Sequence, residues 1–473
     1  MFTETTTLIV GAFGVEPSVA SDGGEATNGR TARRIASTIG RMISNGSLEV
    51  GTRLPTVREL SRHLGVSPTT VSEAWRRLAD VGAIETRGRN GSFVRHPTGP
   101  GGPRRYRQIS EGPGHFALDL SSGTPDPELL PDLAPIVARV SRQSLTSSYL
   151  DHPVLPALED ELRTTWPFAP EAITVVDGAL DALDRVASVV LRLGDRVVVE
   201  HPGFPPMLDL LERLACDIVG VDVDDEGLDI GQLRDVVGTG PPAAVILQPR
   251  AQNPAGVAMS TRRAKAIADV LRPIAALVVE DDHANEISSA PLTSVGAWLP
   301  ERTVHIRSFS KSHGPDLRLG AVGGSGDVVT AVENRRLLGP GWSSRILQSV
   351  LLELIRHPDT SATLRRARET YAERRVVVSR VLAERGVAVT GTDGINVWMA
   401  VDDERAAVVA LAAQGVGVAP GAPFLVRPDT DHLRVTISAL STPSELTSVA
   451  EQLAAAASLA TTRRRHHQPA AHR

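Results

Sequence analysis

The chain has 473 residues and a net charge of −5, room for one small and one large domain. Hydrophobic residues make up 41% and charged residues 22%, a globular balance that excludes a disordered or fibrous chain. No apolar run is long enough to span a bilayer. The single cysteine, Cys216, excludes an intrachain disulfide framework and suits a buried position in a reducing cytoplasm.

Residues 1–29 are rich in Gly, Ser, Thr and Glu without sustained periodicity, which predicts a flexible arm. No basic residue precedes their short apolar patch, so a secretory signal is not expected. Residues 30–97 form a unit with its own charge. Twelve arginines against five acids give it +7, leaving −12 on the remainder. A basic front on an acidic body is the footprint of a protein in which one domain meets nucleic acid. Within it, Ile35, Ile39, Met42 and Ile43 recur at helical spacing before a turn at Asn45-Gly46. VRELSRHLGV (57–66) is a short amphipathic helix closed by Gly65. A third helix follows, with Ser67 as its cap, Pro68 in its first turn, and Val71, Trp75 and Leu78 facing inward. IETRGRNGSFVRH then reads as strand, turn and strand, a wing bearing Arg87 and Arg89. Basic residues on a small unit are often only a solvated face, but helix, turn, helix and wing in this order predict a DNA-binding winged helix.

Residues 98–114 have the Gly/Pro-rich composition of a linker. From 115 to 460 strand-like runs alternate with amphipathic helical stretches. The runs are AITVVD (172–177), RVVVEHP (196–202), AAVILQP (243–249), AALVVEDD (275–282) and TVHIRSFS (303–310). Continuous Val/Ile runs, each followed by a helix, predict an α/β domain with a mostly parallel sheet covered on both faces. The tail 461–473 is basic and polar and is expected to be disordered.

Lysine usage singles out one residue. Of the 50 basic residues only Lys265 and Lys311 are lysine, so lysine stands out where arginine cannot substitute. An amine condenses with an aldehyde; a guanidinium does not. Lys311 follows a buried strand in Ser308-Phe309-Ser310-Lys311, at the sheet edge where open α/β folds bind ligands. The surrounding residues fit pyridoxal 5'-phosphate. Ser308, Ser310 and Arg318 suit its phosphate, together with the backbone of Gly178 and Ala179 at a helix start. Asp281 suits the pyridinium nitrogen, Asn253 the ring hydroxyl, and Phe204 the ring face. Arg434 is a clamp for a substrate or effector carboxylate. Taken singly, each has a plainer reading: Asp281 as a strand-end cap, Phe204 as core, Arg434 as half of an ion pair. No metal site is expected.

Two resemblances organise these residues. GTRLPTVRELSRHLGVSPTTVSEAWRRLADVGAIETRGRNGSFV resembles the winged helix of the GntR family, which implies DNA contacts from Arg58, from Ser67, Thr69 and Thr70, and from Arg87 and Arg89. The order Gly178, Phe204, Asn253, Asp281, Lys311, Arg318, Arg434 resembles that of fold-type I aminotransferases. Together they resemble the MocR subfamily of GntR regulators: a winged helix-turn-helix domain followed by a fold-type I aminotransferase-like domain carrying pyridoxal phosphate on the equivalent of Lys311. The resemblance implies a head-to-tail homodimer, each winged helix against its partner's large domain, with Tyr149 reaching the partner's phosphate site. It also implies a double-stranded DNA operator and an amino acid or other amine as effector.

Three features depart from the family pattern. His283 stands where a tyrosine is usual, as a donor to the ring hydroxyl that would titrate near neutral pH. Leu180-Asp181 replaces glutamines in the phosphate turn. The stretch around Tyr149 is reduced to YLDHPVLPAL. The leading expectation is an effector-responsive cytoplasmic transcription regulator. The alternatives are a working aminotransferase with an appended DNA-binding domain, or a regulator whose pocket has lost its cofactor.

Overall fold

The computed structural model describes residues 4–13, 32–44, 47–80, 83–86, 91–94, 103–110, 116–142, 148 and 151–459. The front unit opens with α1 (Glu4–Gly11), where a flexible arm was predicted. Ile9 and Val10 are buried in the front core, and Thr6 Oγ1 donates to Glu59 Oε1 at 2.9 Å. An eight-residue segment is too short to display a helical period, and its order comes from this tertiary contact. Helices α2 (Ala32–Ser44), α3 (Val57–Leu64) and α4 (Pro68–Asp80) and the hairpin β1 (Ile84–Thr86) with β2 (Ser92–Val94) form the winged helix. Thr56 and Glu59 close a capping box at the start of α3, and Gly65 ends that helix in the left-handed conformation at φ +65°.

The expected linker also holds a helix, α5 (Arg104–Ser110). It docks on the large domain, where Arg105 pairs with Glu212 at 2.7 Å. Then come β3 (Leu118–Leu120), α6 (Ala134–Val140), α7 (Pro156–Thr164) and β4 (Ala172–Val176). The alternating part continues with α8 (Ala179–Val190), β5 (Arg196–His201), α9 (Pro205–Arg213), β6 (Asp217–Asp224), β7 (Gly227–Leu228) and α10 (Ile230–Thr239). It closes with β8 (Ala244–Leu247), α11 (Thr261–Leu271), β9 (Leu277–Asp282), β10 (Thr303–Ser308) and β11 (Gly320–Gly324). These strands make one eight-stranded sheet in the order β4-β11-β10-β9-β8-β5-β6-β7. Strands β5, β6, β8, β9 and β10 run parallel; β11 is antiparallel to both its neighbours, so β4 points the same way as β10. The C-terminal ends of β4, β5, β8, β9 and β10 therefore open on one edge.

Helices α12 (Gly326–Leu337), α13 (Arg345–Arg356) and the long α14 (Pro358–Glu384) lead to a second sheet. That sheet contains β12 (Val389–Thr390), β13 (Asn396–Ala400), β14 (Val416–Pro420) and β15 (His432–Thr436) in the order β12-β13-β15-β14-β3. Helices α15 (Glu404–Ala413) and α16 (Pro443–Ala457) pack with α14 against it. Among the described residues no helix is long and apolar enough to cross a membrane.

The winged helix rests on its own large domain. Leu193, in the α8–β5 turn, is buried in the winged-helix core, and Ala215, after α9, packs against it. A Cβ on Gly40 would lie 2.2 Å from Leu193 Cδ2, so a larger residue there would force the Leu193 side chain to shift.

Candidate cofactor pocket and DNA-binding face

The sheet edge gathers the residues that carry chemistry. Lys311 sits just past β10, with Nζ 2.9 Å from His283 Nδ1. His283 follows β9, and its Nε2 lies 2.9 Å from the carbonyl oxygen of Ala251. A carbonyl only accepts, so Nε2 carries the proton and Nδ1 presents a lone pair. Burial, with the Lys311 charge second, pushes the imidazole down to about 3. His283 is thus neutral across the physiological range and faces the pocket as an acceptor. This corrects the expectation of a donor that titrates near neutrality: desolvation dominates, and the Ala251 backbone fixes the tautomer. Burial also brings the Lys311 amine down to about 8, against the pull of Asp281 and with the help of the Arg434 charge. An appreciable fraction is unprotonated at neutral pH, as a nucleophilic amine requires.

Asp281 is the penultimate residue of β9, one oxygen of its carboxylate held and the other open. Gln248 Nε2 donates to Oδ2 at 2.7 Å, while Oδ1 is buried with no hydrogen-bond partner among the described residues. Burial raises this carboxyl to about 6, which leaves it ionised at pH 7. Asn253 Oδ1 is likewise buried and unpartnered, and the Asn253 backbone N–H is pinned to Gln248 Oε1 at 2.8 Å. Buried polar atoms left open in this way are costly unless a ligand completes them. Sequence reasoning passed over Gln248, although it stands in the AAVILQP run (243–249). It also missed Glu200, whose Oε2 accepts from the Gln248 N–H at 3.0 Å and whose carboxyl burial pushes up to about 8. Only the register of β5 against β8 brings these two together.

At the phosphate end Gly178 caps α8 at φ +100° with no side-chain cap. Arg318 Nη2 donates to the Asp177 carbonyl at 3.2 Å, and a Cβ on Gly178 would lie 2.9 Å from that same nitrogen. An uncapped helix N-terminus beside a guanidinium is an anion cradle. Asp181 does not oppose it. Its Oδ2 is held by Arg185 Nε at 2.7 Å and by the Asp177 N–H at 3.1 Å. Ser308 is buried and its Oγ accepts from the Ser310 N–H at 3.3 Å; Ala179 and Ser310 stand at the same edge, each half-buried. Of the four non-glycine residues at positive φ among the described residues, Ala251, Asn285 and Arg318 surround this pocket, a concentration of backbone strain common at binding sites.

Phe204 precedes α9 and is half-buried, packed on the core beneath the sheet edge. Arg434 lies on β15 and is buried. Its Nη2 donates to the Ser121 carbonyl, its Cζ sits 5.3 Å over the Phe424 ring, and Nε has no partner among the described residues. The pocket thus presents an amine, a half-satisfied carboxylate, an anion cradle and a buried guanidinium. That donor set matches the aldehyde, pyridinium and phosphate of pyridoxal phosphate, with one cation left for a carboxylate.

In the winged helix, Ser67 Oγ accepts from the Thr70 N–H at 3.1 Å and so caps α4. Ser67 and Thr69 are exposed at the start of that helix, with Thr70 partly so, and Arg58 is exposed on α3. Arg87 and Arg89 lie outside the described residues, as does Tyr149.

Residues 117–453 match the family model described as aminotransferase class I and II, and residues 31–94 match bacterial regulatory proteins, gntR family. The vitamin B6 salvage pathway transcriptional repressor PtsJ of Salmonella typhimurium is 36% identical over 435 residues, covering 90% of this chain and 98% of that protein. The HTH-type transcriptional regulator TauR of Rhodobacter capsulatus is 28% identical over 465 residues, covering 87% of this chain and 93% of its own. Among solved structures, the multiple substrate aminotransferase of Thermococcus profundus superposes with a TM-score of 0.67 at 21% identity, over 74% of this chain and 94% of that one. At that identity the likeness shows the fold.

Proposed function

Since this chain belongs to the GntR-type transcription regulators that carry an aminotransferase class I and II domain, the layout of the MocR subfamily, we propose that it regulates transcription in response to a ligand bound with pyridoxal phosphate at Lys311. The observation that carries this reading is the Lys311 amine, lowered to about 8 and set between His283 and the half-satisfied Asp281, in a chain that begins with a winged helix. When bound, pyridoxal phosphate supplies an aldehyde that condenses with amines and a ring that acts as an electron sink.

The chain's own residues then have distinct tasks. Asp281 Oδ1 would hold the ring nitrogen protonated, with Gln248 fixing the carboxylate. Asn253 and His283 would receive the ring hydroxyl, and Phe204 would lie against the ring. The α8 amides at Gly178 and Ala179, with Ser308, Ser310 and Arg318, would hold the phosphate. An amino acid fits with its carboxylate on Arg434 and its amine beside Lys311; the Arg434 charge acts on Lys311, consistent with both facing one space. In the winged helix, Arg58, Ser67, Thr69, Thr70, Arg87 and Arg89 meet double-stranded DNA, phosphate contacts setting register and base contacts setting sequence. The working unit is a cytoplasmic homodimer. Its support is apolar surface near the phosphate cradle: Leu180, Leu337 and Leu338 are exposed, and the adjoining Arg336 contacts Asp177.

A second reading has one specific support. The relative named for vitamin B6 salvage favours a B6 vitamer itself as the signal. One experiment separates them: affinity of the purified protein for its own upstream DNA, measured with pyridoxal phosphate alone and then with a panel of amines. A change on adding an amine supports the first reading, and a change with the cofactor alone supports the second. No change under either condition overturns both.

A further inference from the structure

The segment expected to be a linker is fixed to helix α9 and to the turn around Phe424, at the Arg434 end of the ligand pocket. Helix α5 is the described chain between the wing and the large domain. The N–H groups of Arg105 and Tyr106, in its first turn, donate to Asp209 Oδ1 and Oδ2 at 3.0 Å each. The Arg105 guanidinium reaches Glu212 at 2.7 Å and donates through Nη1 to the carbonyls of Pro423 and Leu425 at 3.0 and 2.8 Å. Those two carbonyls bracket Phe424, the ring beneath the Arg434 guanidinium. The Phe424 carbonyl in turn accepts from the Gly203 N–H at 2.8 Å, immediately before Phe204. Ile109, at the far end of α5, packs on the Trp398, Ala419 and Phe424 cluster.

Helix α9 completes the connection. It starts after Phe204, holds α5 through Asp209 and Glu212 in its middle and last turn, and hands on to Ala215, which packs against the winged-helix core. A ligand group that moves Arg434 and Phe424 therefore pulls on the carbonyls that Arg105 grips. The same guanidinium is fixed to α9, which leads to Ala215 against the winged-helix core.

We propose that helix α5 transmits occupancy of the Arg434 end of the pocket to the winged helix, with Arg105 as its latch. This rests on the reading of Arg434 as the carboxylate clamp beside a Lys311-bound cofactor. A mere structural tether would hold α5 equally whatever the pocket contains; a transmission element must differ between ligands that do and do not reach Arg434.

Two probes isolate that difference in the full-length protein. Pyridoxamine 5'-phosphate fills the cofactor place without a carboxylate. N-(5'-phosphopyridoxyl)-L-alanine fills it and adds one. Both are expected to raise the melting temperature. Only the alanine adduct should change amide exchange at 104–110, where the Arg105 and Tyr106 amides are direct reporters, and it should change affinity for the upstream DNA by about 5-fold or more. Arg434→Gln should erase the difference between the probes. Arg105→Ala should speed exchange at 104–110 without ligand and make DNA affinity the same with either probe. Identical exchange with both bound probes, or an Arg105→Ala protein that keeps the wild-type difference in DNA affinity, overturns the inference while leaving the cofactor reading intact. Absence of any melting shift with either probe overturns the cofactor reading, and this inference with it.

Discussion

Gly178→Ala is the substitution whose outcome the phosphate end specifies most fully. Gly178 sits at φ +100°, a conformation that costs a side-chain-bearing residue about 1–3 kcal/mol. The added Cβ would lie 2.9 Å from Arg318 Nη2. That atom ends a flexible, exposed side chain, so the guanidinium moves and the backbone holds. The displacement removes the Arg318 bond to the Asp177 carbonyl and draws the cation away from the start of α8. A hydrogen bond to a charged group is worth about 1.5–3 kcal/mol, so pyridoxal phosphate should bind about 10- to 150-fold more weakly. Global stability should fall by the strain and the lost Arg318–Asp177 bond, a few degrees in melting temperature. Cofactor titration by visible absorbance and thermal denaturation by circular dichroism measure the two effects separately. Affinity within twofold of wild type, with the fold intact, would refute the assignment of this helix start as the phosphate cradle.

Other outcomes follow from the same geometry. Arg58→Ala should weaken DNA binding for all sequences and reduce the slope of log affinity against log salt by about one, read by anisotropy at several salt concentrations; an unchanged slope removes Arg58 from the phosphate contacts. In cofactor-free protein, borohydride trapping with pyridoxal phosphate should label Lys311 with a half-rise near pH 8, with exposed Lys265 as reference in peptide mass spectra; parallel rises at both lysines contradict a buried, lowered amine. Glu200 keeps a proton in the folded state up to about pH 8 that the unfolded chain releases above about 4.5, so its contribution is present below 4.5 and lost as pH rises through 8. The stability of wild type relative to Glu200→Gln should therefore fall between pH 5 and 8 in urea titrations, and a flat difference would place Glu200 in solvent.

Much of the large domain is legible because its signal is local. The five Val/Ile runs contain β4, β5, β8, β9 and β10, since a strand buried on both faces must be apolar throughout. Lys311 stands out because lysine is rare in this chain. What stays hidden depends on distant partners. Helix α1 is ordered by Glu59, and α5 by Asp209 and Glu212, more than a hundred positions away. The imidazole of His283 takes its tautomer from the Ala251 carbonyl, at a residue in the left-handed region that no local pattern announces. Gln248 and Glu200 meet only through strand register. Asp181 looks hostile to a phosphate until Arg185, one helical turn on, is seen to hold it.

The most direct test of the account joins its two halves through one atom, Lys311 Nζ. Wild-type protein with pyridoxal phosphate should show a visible absorption band from the lysine-bound cofactor, and its affinity for the upstream DNA should change when a recognised amine or B6 vitamer is added. Lys311→Ala should fold and bind DNA, yet lack the band and lose the ligand response. A Lys311→Ala protein that keeps the wild-type response, or a wild type that stays colourless with excess cofactor, would contradict it.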